Sequence, residues 1–263
     1  MASISEPTIW YPAEIFSESP QLHKDFALII LNQPLSLRPS IYKTLWANSV
    51  YQVAADGGAN RLYELNSSPD TPALDLDLVI GDLDSLCSDT RVYWEGRGVE
   101  IVQDPDQNST DFGKAFYRIR KEREGELNVV VLGGLGGRVD QGMTTLHHLY
   151  MFQPGPDYAD GKMLLLSSES ITFLLKAGKH RIKAQDEGVG IRLGRHVGIV
   201  PMKEASIITT KGLEWDVENW KTEFGGQMST SNHIKEEWIE VETSTDVLFT
   251  IDLDVPGVDP DRS

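Results

Sequence analysis

The sequence predicts an α/β protein: a doubly wound, mostly parallel sheet domain over residues 1–168, followed by a smaller all-β sandwich or barrel over 169–263. Three observations predict it. Short Val-, Ile- and Leu-rich runs with little polar alternation recur in the first part, as strands buried on both faces require. Helical patterns alternate with those runs, which is the rhythm of a parallel sheet. After Ser168 the long helical period disappears, and short strands follow one another across turn signals.

The strands expected in the first domain are Phe26–Leu31, Tyr51–Ala55, Leu76–Ile80, Val99–Gln103, Leu127–Leu132 and Met163–Ser167. Helices are expected over Ala59–Leu65, Asp111–Glu124 and Val139–Phe152. The last places Val139, Met143, Leu146 and Tyr150 at helical spacing. In the second domain the strands are Ile171–Leu175, His180–Ile182, Gly198–Pro201, Ala205–Thr210, Trp238–Thr243 and Val247–Ile251. Asp186–Arg195 reads as a polar, Gly-rich loop. The tails before about Asp25 and after Asp254 read as poorly anchored.

Composition narrows the function. The 263 residues hold 40 Asp plus Glu against 24 Lys plus Arg, a formal net charge of −16. No basic stripe is present, so nucleic acid is not an expected partner. An acidic protein that binds a polyphosphate needs metal ions or oriented backbone N–H groups to do so. The lone Cys87 rules out an internal disulfide and a Cys-based zinc site, and fits a reducing compartment. Residues 1–23 carry Glu6, Glu14 and Glu18 without an apolar run, unlike a secretory signal or an Arg-rich transit peptide. No stretch reaches the roughly 18 apolar residues of a membrane span. A soluble cytoplasmic protein without a membrane partner is expected.

The chemistry is expected where strands end. In an open α/β sheet, ligands bind outside the carboxyl ends of the strands. Four clusters follow predicted strands: Asp56-Gly57-Gly58-Ala59-Asn60, Gly81-Asp82-Leu83-Asp84-Ser85, Asp104 through Asp111, and Gly133 through Asp140. A parallel sheet gathers all four on one rim. Asp82 and Asp84 lie two apart, so in extended chain both carboxylates point the same way. Two adjacent anions invite a cation such as Mg²⁺, although a solvated acidic turn explains the pair equally well. Asp104–Asp111 begins like a calcium loop and then departs, with Ser109 where Gly is needed and Ala115 where Glu is needed. Ser109 or Thr110 then caps a helix, and Asp111 is either a first-turn residue or a further metal ligand.

Gly133, Gly134, Gly136 and Gly137 open a helix whose N–H groups can cradle phosphate, or else form only a tight turn. No Walker A pattern follows. Arg138 is a phosphate partner or a surface charge, and Asp140 fixes Arg138 or binds metal or substrate. His147 and His148, adjacent on one helix, read as packing or solvent-facing residues, and the tryptophans as core.

Taken in order, these segments resemble the thiamine pyrophosphokinases of the eukaryotic, fungal type. The resemblance rests on Leu31-Asn32-Gln33-Pro34, Ala55 through Asn60, Gly81 through Ser85, Asp104-Pro105-Asp106-Gln107 with Thr110-Asp111-Phe112, and Leu132 through Arg138 with Asp140-Gln141. It continues through Gly178-Lys179-His180, Gly198 through Pro201, Thr210 through Trp215, and Ser229-Thr230-Ser231-Asn232. The resemblance implies a homodimer that moves pyrophosphate from ATP to the hydroxyl of thiamine, with the active site near the dimer interface. It implies Mg²⁺ on Asp82, Asp84 and Asp111, and catalytic positioning by Arg138 and Asp140. Asn32, Asp56, Gly57, Gly58, Gln107, Thr110, Gly134, Gly136, Gly137 and Arg138 would contact ATP. Trp215, Ser229 and Asn232 would form the thiamine pocket. The competing readings are an Mg²⁺-dependent nucleotide pyrophosphohydrolase and a non-catalytic thiamine or nucleotide sensor.

Overall fold

The computed structural model describes residues 6–17, 25–69, 73–185 and 192–254. In chain order, strand β1 (Thr8–Trp10) and a 3-10 turn (Pro12–Phe16) precede an alternating run. That run is β2 (Phe26–Ile30), α1 (Pro39–Asn48), β3 (Ser49–Ala55), α2 (Gly58–Asn66), β4 (Leu78–Gly81), α3 (Ser88–Gly96), β5 (Glu100–Gln103), α4 (Asp111–Glu122), β6 (Asn128–Leu132), α5 (Val139–Met151) and β7 (Met163–Leu166). Only strands follow: β8 (Ser170–Leu175), β9 (Gly178–Lys183), β10 (Arg192–Val200), β11 (Ser206–Lys211), β12 (Trp220–Thr222), β13 (Ser229–His233), β14 (Trp238–Thr243) and β15 (Val247–Asp254).

The described residues fall into two compact units, one of 25–154 with 158–168, the other of 6–17, 155–157, 169–185 and 192–254. In the first, six strands run in the order β7-β6-β2-β3-β4-β5, and every neighbouring pair is parallel. All side chains of β2, β4 and β7 are buried, which is why these strands are apolar without alternation. From β2 the chain steps outward through β3, β4 and β5, then returns to place β6 on the other side of β2. Right-handed crossovers send the helices of the two halves to opposite faces. The doubly wound reading is therefore correct, and its switch point lies between β2 and β6.

The second unit is a pair of sheets, β1-β9-β14-β11-β12 and β13-β10-β15-β8. Trp10 of the first stacks on Phe173 of the second at 4.4 Å, and Phe173 meets Phe249 at 5.3 Å, so the sheets pack face to face. In β14, Ile239, Val241 and Thr243 are buried while Glu240 and Glu242 are exposed, the alternation of a half-buried strand.

Two sequence expectations need correction. The segment before Asp25 is not loose where it is described. β1 pairs with β9 in parallel, with Thr8 opposite His180, so this segment belongs to the β-rich unit and not to the first domain. Trp10 and Phe16 anchor it from a stretch too short to show a period. The loop expected over Asp186–Arg195 ends early, because Arg192–Arg195 already belongs to β10; residues 186–191, and the tail after Asp254, lie outside the described residues.

Trp10 is 2% exposed, and its Nε1 donates to His180 Nδ1 at 3.2 Å. Trp10→Ala should lower stability by about 3–5 kcal/mol, read from the denaturant midpoint of the full chain. A change below about 1 kcal/mol would mean that the N-terminal strand does not anchor the β-rich unit.

Candidate active site

The acidic rim is built from strand ends. Ala55 of β3 lies opposite Ile80 of β4, and Gly81 of β4 opposite Gln103 of β5. Asp56 and Asp82 therefore leave neighbouring strands at almost the same level. Asp111 comes in from the first turn of α4, which packs on β3 and β4. Each of Asp56, Asp82 and Asp111 presents a carboxylate oxygen, and the three atoms lie within 4.8 Å of one another. Gly81 makes this possible: a Cβ there would sit 2.7 Å from Asp56 Cβ and 3.0 Å from Asp111 Oδ1.

Backbone N–H groups hold each carboxylate in place. Asp82 N–H donates to Asp111 Oδ1 at 3.2 Å, Asp84 N–H to Asp82 Oδ1 at 3.2 Å, and Ser85 N–H to Asp56 Oδ2 at 3.1 Å. Gln107 Nε2 donates to Asp82 Oδ2 at 3.3 Å. The N–H of Asp84 and the Gln107 amide keep the Asp82 carboxyl below its usual range, so it is a ready ligand for a cation. Asp56 is the opposite case. It is 3% exposed, and its Oδ1 is buried with no hydrogen-bond partner. Burial, then the nearby Asp111 and Asp82, push its carboxyl up. Asp56 and Leu83 also hold left-handed backbone, φ 43° and 65°. Such conformations cost free energy in non-glycine residues and cluster at functional sites. Three clustered carboxylates, one of them with a buried and unpartnered oxygen, suit an oxygen-liking divalent cation.

Around the rim, Thr110 Oγ1 accepts from Gly113 N–H at 3.0 Å and so caps α4. It also meets His148 Nε2 at 2.8 Å, while His148 Nδ1 faces Thr144 O at 2.6 Å. A carbonyl only accepts, so Nδ1 carries the proton, and burial keeps the ring neutral by lowering its pKa. Nε2 then accepts from the Thr110 hydroxyl. His148 is thus a packing residue that fixes the Thr110 rotor.

At the switch point, the loops after β2 and β6 line a cleft of ≈ 340 Å³ with Gln33, Leu37, Tyr42, Gly133, Gly136 and Gly137 among its walls. Gly136 and Gly137 have φ 131° and 66°, and a Cβ on Gly137 would lie 2.9 Å from Gln33 Nε2. Gly134 is equally tight, against Thr145 Cγ2 at 2.9 Å. Gly57 and Gly58 serve close approach too, since a Cβ would meet Asn32 Nδ2 at 2.3 Å and Ile30 O at 2.1 Å. Asn32 Oδ1 in turn accepts from Arg61 Nε at 2.9 Å. Arg138 is the N-cap position of α5 and makes a bidentate pair with Asp140, Nε to Oδ1 at 3.1 Å and Nη2 to Oδ2 at 2.6 Å. Both side chains are exposed.

In the β-rich unit, Trp215 is 57% exposed but held from behind. Asn232 Oδ1 accepts from Trp215 N–H at 3.1 Å, and Asn232 Nδ2 donates to Trp215 O at 2.9 Å. Ser231, at φ 54°, turns the chain just before it. The His233 ring lies 5.0 Å from the indole and bonds Glu214 Oε2 through Nδ1 at 2.6 Å. Ser229, half-buried, opens the same strand, β13.

Comparison with known proteins decides the family. Residues 42–157 match the family model described as thiamin pyrophosphokinase, catalytic domain, and residues 179–248 the model for its vitamin B1 binding domain. Thiamine pyrophosphokinase 1 of Arabidopsis thaliana is 34% identical over 89% of this chain and 88% of its own. The solved thiamin pyrophosphokinase from Candida albicans is 28% identical at a TM-score of 0.79, covering 95% of both chains. The yeast enzyme reaches 0.84 at 25% identity, over 97% of this chain and 93% of its own. The chain belongs to the thiamine pyrophosphokinase family.

The family resemblance put Asp82, Asp84 and Asp111 together. The structure gathers Asp82 and Asp111 but sets Asp56 beside them, while Asp84 is exposed and accepts from Ser85 Oγ at 2.9 Å. Asn232, expected to line a thiamine pocket of the family type, is buried, and its amide holds the backbone of Trp215. The sequence reading missed Lys114, whose Nζ lies 3.1 Å from Asp111 Oδ1 with its side chain 2% exposed. Its i+3 spacing from Asp111 on a helix was the available signal.

Asp56→Asn removes the raised, unpartnered carboxylate and keeps its shape. Without metal, the variant should melt higher than the parent by roughly 2–4 °C. A raised carboxyl pKa destabilises the fold above that pKa and not below the unfolded value, so the gap should close as pH falls. A lower melting temperature at neutral pH would mean that the Asp56 carboxylate is satisfied in solution.

Proposed function

We propose that this chain transfers the pyrophosphoryl group of ATP to the hydroxyl of thiamine, giving thiamine diphosphate and AMP, on the rim formed by Asp56, Asp82 and Asp111. The observation that carries the siting is the gathering of the Asp56, Asp82 and Asp111 carboxylates, with Asp56 Oδ1 buried and without a hydrogen-bond partner. That donor set fits Mg²⁺, with Asp84 as a further acidic residue on the same loop. Bound there, Mg²⁺ would neutralise charge on the polyphosphate oxygens.

The chain's own residues supply the rest. The glycine loop after β6 brings backbone close to the switch-point cleft, where N–H groups can meet phosphate at the entry to α5. Gln107 and Thr110 border the carboxylates and position what binds there. Arg138 is held by Asp140 in a form suited to phosphate oxygens. The same contact keeps the Asp140 carboxyl below its usual range, which makes it a poor proton acceptor for the thiamine hydroxyl. Thiamine is an aromatic cation, and the exposed Trp215 face beside Glu214 suits it. The reading takes two copies of the chain as the working unit and the cytoplasm as its place. The single exposed Cys87 agrees with a reducing compartment, and among the described residues no helix is long and apolar enough to cross a membrane.

Purified protein given ATP, Mg²⁺ and thiamine should form AMP and thiamine diphosphate together, and only when thiamine is present. ADP, or AMP without thiamine, would replace this reading with a phosphoryl transferase or a pyrophosphohydrolase; no product would favour a sensor. Asp84→Asn should keep the fold, because the residue is exposed, yet cut turnover at least about 100-fold. Unchanged turnover in that variant removes Asp84 from the metal set.

A further inference from the structure

Lys114 is a charged group in the acidic rim that neither the sequence reading nor the proposed transfer uses. It sits in the first turns of α4 with its residue 5% exposed, and its ammonium reaches Asp111 Oδ1 at 3.1 Å. Asp111 Oδ1 is shared, because it also accepts from the Asp82 N–H. The Lys114 charge is felt by Asp82 and by Asp106 as well. A lysine this deep is seldom found unless it is paired, since burying an ammonium opposes folding. Here a positive charge is fixed inside the set of oxygens that a divalent cation would share.

We propose that Lys114 is a resident counter-ion that makes the rim a poor site for a bare divalent cation and a good one for a metal–nucleotide complex. Without metal, Asp56, Asp82 and Asp111 crowd within 4.8 Å, and a fixed ammonium lowers their mutual repulsion. A bare divalent cation entering that group meets the same ammonium at close range, and like charges in a partly buried site repel strongly. A polyphosphate changes the balance, because its oxygens give the ammonium a second anion to face while they share the metal. Lys114 is therefore a positioning residue: it acts through Asp111 and the rim charge and couples metal entry to nucleotide entry. This inference rests on the proposed siting of the metal, and not on thiamine being the acceptor.

The test measures Mn²⁺ binding to the full chain without nucleotide, by electron paramagnetic resonance of the free ion, in the parent and in Lys114→Gln. Glutamine keeps a donor toward Asp111 and removes the charge, so packing and hydrogen bonding change little. The variant should bind bare Mn²⁺ at least about tenfold more tightly than the parent. Binding of ATP alone should weaken, and Lys114→Arg should behave like the parent. If the glutamine variant does not fold, Lys114→Met, read by the same titration, takes its place. Equal or weaker Mn²⁺ binding in the folded, charge-free variants overturns the assignment. Failure of the transfer reading would instead appear in the products formed by the parent protein, which this titration does not consult.

Discussion

Carboxylates repel one another, and this protein holds three of them within 4.8 Å at the ends of adjacent parallel strands. Much of the surrounding architecture is what that requires. The parallel register brings Asp56 and Asp82 level, and Gly81 leaves the space into which Asp56 and Asp111 lean. Three backbone N–H groups and the Lys114 ammonium offset part of the repulsion. The remainder stays in Asp56, whose Oδ1 has no partner and whose backbone is left-handed. Buried polar atoms are almost always bonded, so the orphan oxygen leaves room for a partner that is not protein, a water or a cation.

The β-rich unit follows the same logic with different parts. Among the described residues, left-handed backbone outside glycine occurs at Asp56, Leu83, Asn219 and Ser231. Two of these four shape the acidic rim, and Ser231 precedes the residue that holds Trp215. An exposed indole gains little from its own burial, so its position must come from elsewhere. Asn232 supplies it by bonding both the N–H and the C=O of Trp215, and the Glu214–His233 pair backs the ring. In both units a conformationally unfavourable residue is held by well-satisfied neighbours, and an open face results.

How much of this was legible in the sequence follows from where the information lies. The buried parallel strands and α4 were readable, because Phe112, Phe116 and Ile119 repeat at helical spacing and β2, β4 and β7 are apolar throughout. Helix α3 was not, since it buries only Thr90 and Trp94 while Val92 faces solvent. Helix α1 was missed as well; it buries Ile41, Tyr42 and Leu45 but mixes in Ser, Thr, Trp and Asn, which are weak helix formers. The edge strands β12 and β13 are short and polar, and an edge needs little apolar surface. The rim as a whole was legible because its residues follow strand ends. The close approach of Asp56 to Asp82 and Asp111 was not, because it depends on the space above Gly81, which is a tertiary fact. Lys114, and the bonds from Asn232 to the Trp215 backbone, were hidden for the same reason, since these contacts are set by packing and not by spacing alone.

The overall charge makes these local arrangements matter more. A chain of net charge −16 opposes the approach of a free polyphosphate, and nothing in its composition supplies a basic surface to draw one in. On the proposed reading, recognition is made at short range, from oriented N–H groups, the arginine paired with Asp140 and carboxylates that favour a cation-bearing ligand. Under that constraint the acidity is selective, because a metal–nucleotide complex carries less negative charge than the nucleotide and brings the ion that the carboxylates need. On the same reading an aromatic cation meets no such barrier at Trp215, where Glu214, bonded to His233 and paired with Lys235, lies beside the ring. The same surplus of carboxylates thus disfavours a bare nucleotide and favours both a metal-bound one and a cationic acceptor.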